Sequence, residues 1–202
     1  MRRLCIAATA CLLLPGCAPV LIGAAAGGAY TSLEDRRTAG VQIDDEGIEL
    51  RVGNRIGDRF ADRVHVSVTS YNRSVLLTGE VPNEATRAQV EKFARDNASV
   101  RAVTNDLQIA APSSLGSRAN DSLITSRVKA RLLESTRVNA LHVKVVTEAG
   151  VVYLLGIVTE AEANEAVEIA RTTAGVIKVV KVFEYCAPGD PVCRVRTEQR
   201  GA

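Results

Sequence analysis

The stretch that decides the fold occurs twice, as His65-Val-Ser-Val-Thr-Ser-Tyr-Asn-Arg-Ser-Val-Leu-Leu-Thr-Gly79 and as His142-Val-Lys-Val-Val-Thr-Glu-Ala-Gly-Val-Val-Tyr-Leu-Leu-Gly156. The two copies align without a gap at an offset of 77 residues. In each copy, apolar and polar residues alternate on both sides of a short turn, which is the pattern of a β-hairpin with one buried face. A duplication of this length predicts two similar domains in tandem.

Each hairpin is flanked by two predicted helices and followed by a third predicted strand. The helix before the hairpin has apolar residues at a four-residue spacing. The helix after it begins near Asn83 in the first copy and near Thr159 in the second, both good N-cap residues. Closing strands are predicted over residues 100–109 and 176–185. Each copy therefore has the order α-β-β-α-β, an α+β fold in which a three-stranded mixed sheet carries two helices on one face.

Two short motifs connect this order to a known family. Val75-Leu-Leu-Thr-Gly-Glu-Val81 and Val152-Tyr-Leu-Leu-Gly-Ile-Val158 follow the pattern V-x-L-x-G-x-V, and Val100-Arg-Ala-Val103 and Val176-Ile-Lys-Val179 follow V-x-x-V. In this order, the motifs resemble the BON domain. The resemblance implies a phospholipid-binding protein of the Gram-negative outer membrane, in which the second of two BON domains meets the lipid and which helps to maintain the membrane's integrity.

The N-terminus has the features of a secretory signal that ends in a lipid-modified cysteine. Arg2 and Arg3 precede a short apolar stretch, and Leu14-Pro-Gly-Cys17 resembles a bacterial lipobox. This implies cleavage after residue 16 and an acylated Cys17 that anchors the chain to the membrane. Ala18 is not the aspartate that retains lipoproteins at the inner membrane, so we expect the periplasmic face of the outer membrane. A plain signal peptide with an incidental cysteine is the alternative.

These features divide the chain into six segments. The Gly/Ala-rich tether is flexible enough for either domain to reach the bilayer. Pro112 and three nearby serines mark the linker between the domains. The predicted segments are a signal peptide over 1–16, a lipidated tether over 17–38, the first BON domain over 39–111, a linker over 112–118, the second BON domain over 119–185 and a C-terminal tail over 186–202.

The charge balance argues against nucleic acid as a partner. Removing Arg2 and Arg3 with the signal leaves 23 basic and 23 acidic residues. Residues 39–111 carry a net charge of −2 and residues 112–185 a net charge of +1. A basic binding surface for nucleic acid is therefore not predicted, and the second domain suits an anionic membrane better than the first.

Cysteine and histidine usage suggests one disulfide and no metal. Cys186 and Cys193 flank a Pro/Gly turn in an exported chain, which favours a disulfide over a metal site. The two histidines, His65 and His142, share one repeat position at the start of a strand, and no further ligand lies in either short segment. We therefore expect a structural role for both, no metal and no cofactor. No motif of a hydrolase or nucleotide-binding enzyme occurs, so an enzyme is not expected.

The opening helix of the second domain is the candidate lipid-binding element. Ile124, Val128 and Leu132 should face the sheet, which leaves an apolar strip edged by cations on the outside. Such a face suits anionic headgroups. The equal alternative is that Leu123 and Leu133 pack against the first domain while the cations are solvated. A further alternative is a protein-interaction adaptor for envelope assembly whose acyl anchor is its only membrane contact. The predicted phospholipid-binding residues are Leu123, Arg127, Lys129, Ala130, Arg131 and Leu133.

Overall fold

The computed structural model describes residues 35–193, so the predicted signal, Cys17, most of the tether and the end of the tail lie outside the described residues. Within 35–193, no helix is long and apolar enough to cross a bilayer. The first domain contains α1 (Ala39–Phe60), β1 (His65–Tyr71), β2 (Ser74–Val81), α2 (Glu84–Arg95), β3 (Ala102–Asn105) and β4 (Gln108–Ile109). The second contains α3 (Leu115–Glu134), β5 (Lys144–Glu148), β6 (Val151–Val158), α4 (Glu160–Arg171) and β7 (Lys178–Tyr185). Short 3₁₀ turns occupy Ala61–Arg63 and Ala140–His142.

Both domains have the predicted order and a mixed sheet, which confirms the α+β fold. In the first, β1 pairs antiparallel with β2, and β3 and β4 pair in parallel with β2. In the second, β5 pairs antiparallel with β6, and β7 pairs in parallel with β6. The predicted helix starts are also confirmed, because the side chains of Asn83 and Thr159 cap α2 and α4. Thr159 forms a full capping box with Glu162.

The third strand of the first domain differs from the prediction. It is split at Asp106 and Leu107, although the backbone N–H of Asp106 still donates to the carbonyl of Leu77 on β2 at 2.9 Å. Leu107 is buried in the core of the first domain, and Asp106 accepts a hydrogen bond from Tyr153 Oη of the second domain at 2.8 Å. At this break Asp106 contacts the second domain and Leu107 enters the core of the first.

Each sheet is buried on both faces. One face packs against the two helices of its own domain. The other faces of the two sheets pack together in a shared cluster, with Tyr71 and Leu76 from the first domain and Tyr153, Leu155 and Ile157 from the second. Two helices on one face of each sheet were predicted, whereas the cover of the other face was not. Removing these other faces from water makes a hydrophobic contribution to the joining of the domains.

The glycine of each V-x-L-x-G-x-V motif is required by the neighbouring strand. A Cβ atom on Gly79 would lie 2.1 Å from the carbonyl oxygen of His65, and one on Gly156 would lie 2.3 Å from that of His142. Gly79 also has a φ of +111°. No side chain fits at such a separation, so these positions accept only glycine without a shift of the backbone.

A buried aspartate of each opening helix holds the hairpin turn of its domain. Asp45 accepts hydrogen bonds from the backbone N–H groups of Asn72 and Arg73 at 2.8 and 2.7 Å, from Ser70 Oγ at 2.6 Å and from Arg37 at 2.8 Å. Asn72 and Arg73 both have positive φ angles, 51° and 63°. This conformation costs energy for residues other than glycine, and the carboxylate offsets the cost.

The second domain repeats this arrangement. Asp121 of α3 accepts from the N–H groups of Ala149 and Gly150 at 3.0 and 2.8 Å. Ala149 and Gly150 again have positive φ angles, 49° and 76°. Both hairpins thus close on two-residue turns that are tied to the preceding helix.

Replacing Asp45 by alanine should destabilise the protein by about 3 kcal/mol, because two buried N–H groups and the Arg37 guanidinium lose their shared acceptor. Asp121→Ala should cost less, since the hydrogen bonds found for Asp121 are the two from its turn. Urea unfolding followed by circular dichroism measures both. The control is Asp58→Ala at an exposed position of α1, expected within about 0.5 kcal/mol of wild type. Equal stability of the Asp45 and Asp58 variants would contradict the role of the carboxylate.

Candidate functional site

The outward face of α3 carries exposed apolar side chains. Ile124, Val128 and Leu132 are buried in the core of the second domain, as predicted from their spacing. Leu123 and Leu133 lie on the other side of the helix and are 55% and 72% exposed. Ala130, between them on the same face, is also exposed. The alternative in which Leu123 and Leu133 pack against the first domain is therefore wrong.

The three predicted cations of α3 differ in their surroundings. Arg127 and Lys129 are exposed, and Arg127 makes one long hydrogen bond of 3.4 Å to the carbonyl of Ala174. Arg131, by contrast, is half-buried and donates to the carbonyl of Ile169 at 2.7 Å, to Thr172 at 2.9 Å and to Thr173 at 2.8 Å. Its guanidinium therefore donates hydrogen bonds to a carbonyl and two hydroxyl groups at the C-terminal end of α4. Arg131 is thus engaged in the fold, and its assignment to the lipid-binding set needs correcting.

One exposed apolar residue beside this face was missed by the sequence analysis. Ile177 is 79% exposed in the loop that enters β7. The same loop contains Ala174, whose carbonyl Arg127 contacts, and Gly175, which packs against Ile124 of α3. The only signal in the sequence was an isoleucine next to a glycine turn before a strand, which does not reveal proximity to α3. We call Leu123, Arg127, Lys129, Ala130, Leu133 and Ile177 the α3 face.

The segment that precedes α1 is attached to the second domain. Arg36 donates to both carboxylate oxygens of Glu162 at 2.8 and 2.9 Å, to the carbonyl of Ile157 at 2.8 Å and to that of Cys193 at 3.1 Å. Its side chain is 5% exposed. Such a bidentate pair is well defined in geometry. Residues 35–38, predicted as the last part of a free tether, are therefore held in place, and the chain enters the structure beside the second domain.

The C-terminal cysteines lie at the same place. Cys186 and Cys193 form a disulfide in the structure, with Cα atoms 6.1 Å apart. Cys193 is buried, and its carbonyl oxygen is one of the acceptors of Arg36. The disulfide loop thus helps to shape the pocket that receives Arg36.

The two histidines occupy different environments despite their shared repeat position. His142 is buried in a 3₁₀ turn rather than at a strand start, and its Nδ1 lies 3.4 Å from Glu162. His65 begins β1 as predicted and lies opposite Glu80 on β2. Its Nε2 is 3.5 Å from Glu148 Oε1 of the second domain. These partners come from another strand and from the other domain, so the short sequence segments around the histidines do not reveal them.

Burial shifts the pKa values of Glu148 and His65. Burial, together with the negative charges of Glu80 and Asp121, raises the pKa of Glu148 to about 7, while Arg118 and a hydrogen bond from Ser67 act in the opposite direction. Burial and the positive charge of Arg118 lower the pKa of His65. Burial therefore favours the neutral form of both side chains.

Comparison with known proteins agrees with the duplicated fold. The family model of the BON domain matches residues 44–111 and again residues 120–187. The chain belongs to the BON domain family. The matched ranges coincide with the two domains described above, so we call them the first and second BON domains.

Relatives extend the likeness beyond the two BON domains. The outer membrane lipoprotein DolP of Haemophilus influenzae is 38% identical over 92% of this chain and 96% of its own. The 21 kDa hemolysin of Actinobacillus pleuropneumoniae is 35% identical over 78% of this chain and 82% of its own. The osmotically inducible protein Y of Escherichia coli is 33% identical over 68% and 70%. With the lipobox, the first likeness identifies this protein as an outer-membrane lipoprotein.

Glu162 makes the attachment of the second BON domain to the N-terminal segment dependent on pH. Burial alone would raise the pKa of Glu162, but hydrogen bonds from Arg36 and from Thr159 outweigh it and lower the pKa to about 2. A carboxylate whose pKa is depressed by folding stabilises the protein above its ordinary pKa. That contribution is lost as the pH falls toward the depressed value.

The free energy of unfolding should therefore fall between about pH 4.5 and pH 2, because protonation of Glu162 removes its stabilising contribution. Glu162→Gln should be less stable than wild type at pH 7, and the difference should shrink across this range. Urea titrations at a series of pH values measure it, with Glu160→Gln in the same helical turn as the exposed control. A difference that stays constant from pH 7 to pH 2 would show that the ionised carboxylate is not responsible.

Proposed function

We propose that the protein binds anionic phospholipid through the α3 face of the second BON domain and thereby supports the integrity of the outer membrane. The observation that carries the proposal is the pairing of exposed Leu123 and Leu133 with exposed Arg127 and Lys129 on one side of a helix whose other side is buried. Apolar side chains that enter the interface and cations at headgroup depth are the features of an interfacial helix. Ile177 widens the apolar part of this surface.

The attachment of Arg36 supports the second domain as the one that meets the membrane. If Cys17 is the acylated residue, 18 residues lie between it and Arg36, a span of at most about 65 Å when fully extended. The anchor is therefore tethered to a point on the second BON domain. A tether of this length keeps the local lipid concentration high, so even a weak affinity of the α3 face suffices. The sequence-based expectation was only that the tether lets either domain reach the bilayer.

Vesicle binding by a non-acylated chain tests the proposal. The Cys17→Ser variant removes the predicted anchor, so any binding must come from the folded domains. We expect it to bind vesicles containing phosphatidylglycerol, weakly and with a strong dependence on salt, and not vesicles of phosphatidylcholine alone. Adding Arg127→Glu with Lys129→Glu should reduce binding at least tenfold, since each cation near the surface contributes about 1 kcal/mol. Sedimentation with vesicles measures the affinity.

The matched control reverses two exposed cations of the first BON domain, Arg51→Glu with Arg59→Glu on α1. This variant has the same net charge as the α3 variant, so it separates a local effect from a general one. Leu133→Asn, which leaves the charge unchanged, should also weaken binding because an inserted side chain is lost. Unchanged binding of the α3 variants, or equal losses in the α1 control, would reject the α3 face as the lipid site.

An adaptor role in the envelope is the second candidate function. It is supported by exposed apolar side chains on the first BON domain. Ile43 and Leu50 lie seven residues apart on α1 and are 69% and 64% exposed. The acidic balance of this domain makes anionic lipid a poor partner for that strip. If the Cys17→Ser chain binds no vesicles, while substitution of Leu50 rather than Leu123 disturbs envelope function in cells, the adaptor role is the better account.

A further inference from the structure

The boundary between the two BON domains contains three side chains suited to hold a metal ion. His65 of β1, Glu80 of β2 and Glu148 of β5 each offer one ligand atom, and the three atoms lie within 4.8 Å of one another. His65 Nε2 and Glu148 Oε1 are 3.5 Å apart. Ligands at about 2.0–2.2 Å around a tetrahedral Zn²⁺ lie roughly 3.4 Å from each other. One edge of a tetrahedron is therefore already present, and the third ligand atom lies within 4.8 Å of both others.

The surroundings orient these ligands as a metal site requires. Glu80 Oε2 accepts a hydrogen bond from the backbone N–H of Ser113 at 3.0 Å. Partners of this kind fix the orientation of ligating carboxylates. Glu80 and Glu148 are 7% and 8% exposed, so both carboxylates are largely removed from water. Buried carboxylates gain most from a cation between them.

The guanidinium of Arg118, which lines the cleft beside the cluster, is held by another residue. Arg118 influences both His65 and Glu148, but its guanidinium donates to the carbonyl and hydroxyl of Ser113, at 2.8 and 3.3 Å. An open cleft of about 470 Å³ adjoins the cluster and is lined by His65, Glu148, Arg118 and Asp121 among others. The cleft gives an ion a route from solvent and leaves room for a water molecule as a fourth ligand.

We infer that His65, Glu80 and Glu148 bind a divalent first-row transition metal ion, best represented by Zn²⁺, which bridges the first and second BON domains. One imidazole nitrogen with two carboxylate oxygens suits zinc and its neighbours, whereas Ca²⁺ prefers six or more oxygens. Two ligands belong to the first domain and one to the second, so the bound ion would strengthen the contact between the domains. Nothing in the short segments around either histidine indicates this site.

Titration of the Cys17→Ser chain with Zn²⁺ tests the inference. We expect one site with a dissociation constant below about 10 µM and a higher unfolding temperature with zinc than with EDTA. His65→Gln, Glu80→Gln and Glu148→Gln should each weaken zinc binding at least tenfold. Glu49→Gln is the matched control, because Glu49 also reaches across the domain boundary, to Lys144 at 2.7 Å, but lies outside the cluster. It should bind zinc as wild type does.

A measurement on the unsubstituted imidazoles keeps the test decisive if a variant fails to fold. The chain has two histidines, so its imidazole NMR spectrum is simple. Zinc should shift the resonances of His65 and leave those of the buried His142 in place. The inference is overturned if binding is weaker than about 10 µM, if Glu49→Gln loses as much affinity as Glu148→Gln, if Ca²⁺ competes equally at the same concentration, or if His65 does not respond.

Discussion

Two buried carboxylates, Asp45 and Asp121, are the constraint on which the rest of the fold depends. Each sits near the start of an opening helix and accepts the N–H groups of a two-residue turn with positive φ angles. These turns set the register of the hairpins, and the central strand of each hairpin then receives its parallel partner. The carboxylate thus connects the helix, the turn and the sheet of one domain in a single contact.

The register of the hairpins also determines which surfaces remain free. Since one face of each sheet takes its own helices and the other takes the opposite sheet, the helices necessarily form the outside of the molecule. Some apolar side chains of α1 and α3 lie on the outer side of these helices and are exposed to water. Burial of the sheets between the domains is what makes the outer side of α3 available for a membrane.

Features that depend on residues close in sequence could be predicted, whereas contacts between residues distant in sequence could not. The caps Asn83 and Thr159 and the core stripe of α3 depend on neighbours within one or two helical turns, so they could be read from the chain. Leu76 and Leu155 interrupt the alternation of their strands, and a continuous apolar run is the sign of a strand buried on both faces. The prediction of sheets with one buried face did not take these apolar runs into account. Arg36 meets Glu162 across 126 residues, a separation at which no spacing rule operates.

The same physical arrangement connects the proposed metal site to the proposed lipid site. Helix α3 begins beside the cleft, where Asp121 holds the turn that follows Glu148, and its exposed face lies further along the same helix. Movement of Glu148 would therefore be transmitted through Asp121 to α3, which carries the proposed lipid-binding face. A cation that joined Glu148 to the first BON domain would fix the direction of α3 relative to α1. Because the anchor's segment is attached to the second domain through Arg36, the second domain is where the constraints from lipid, tether and metal would meet.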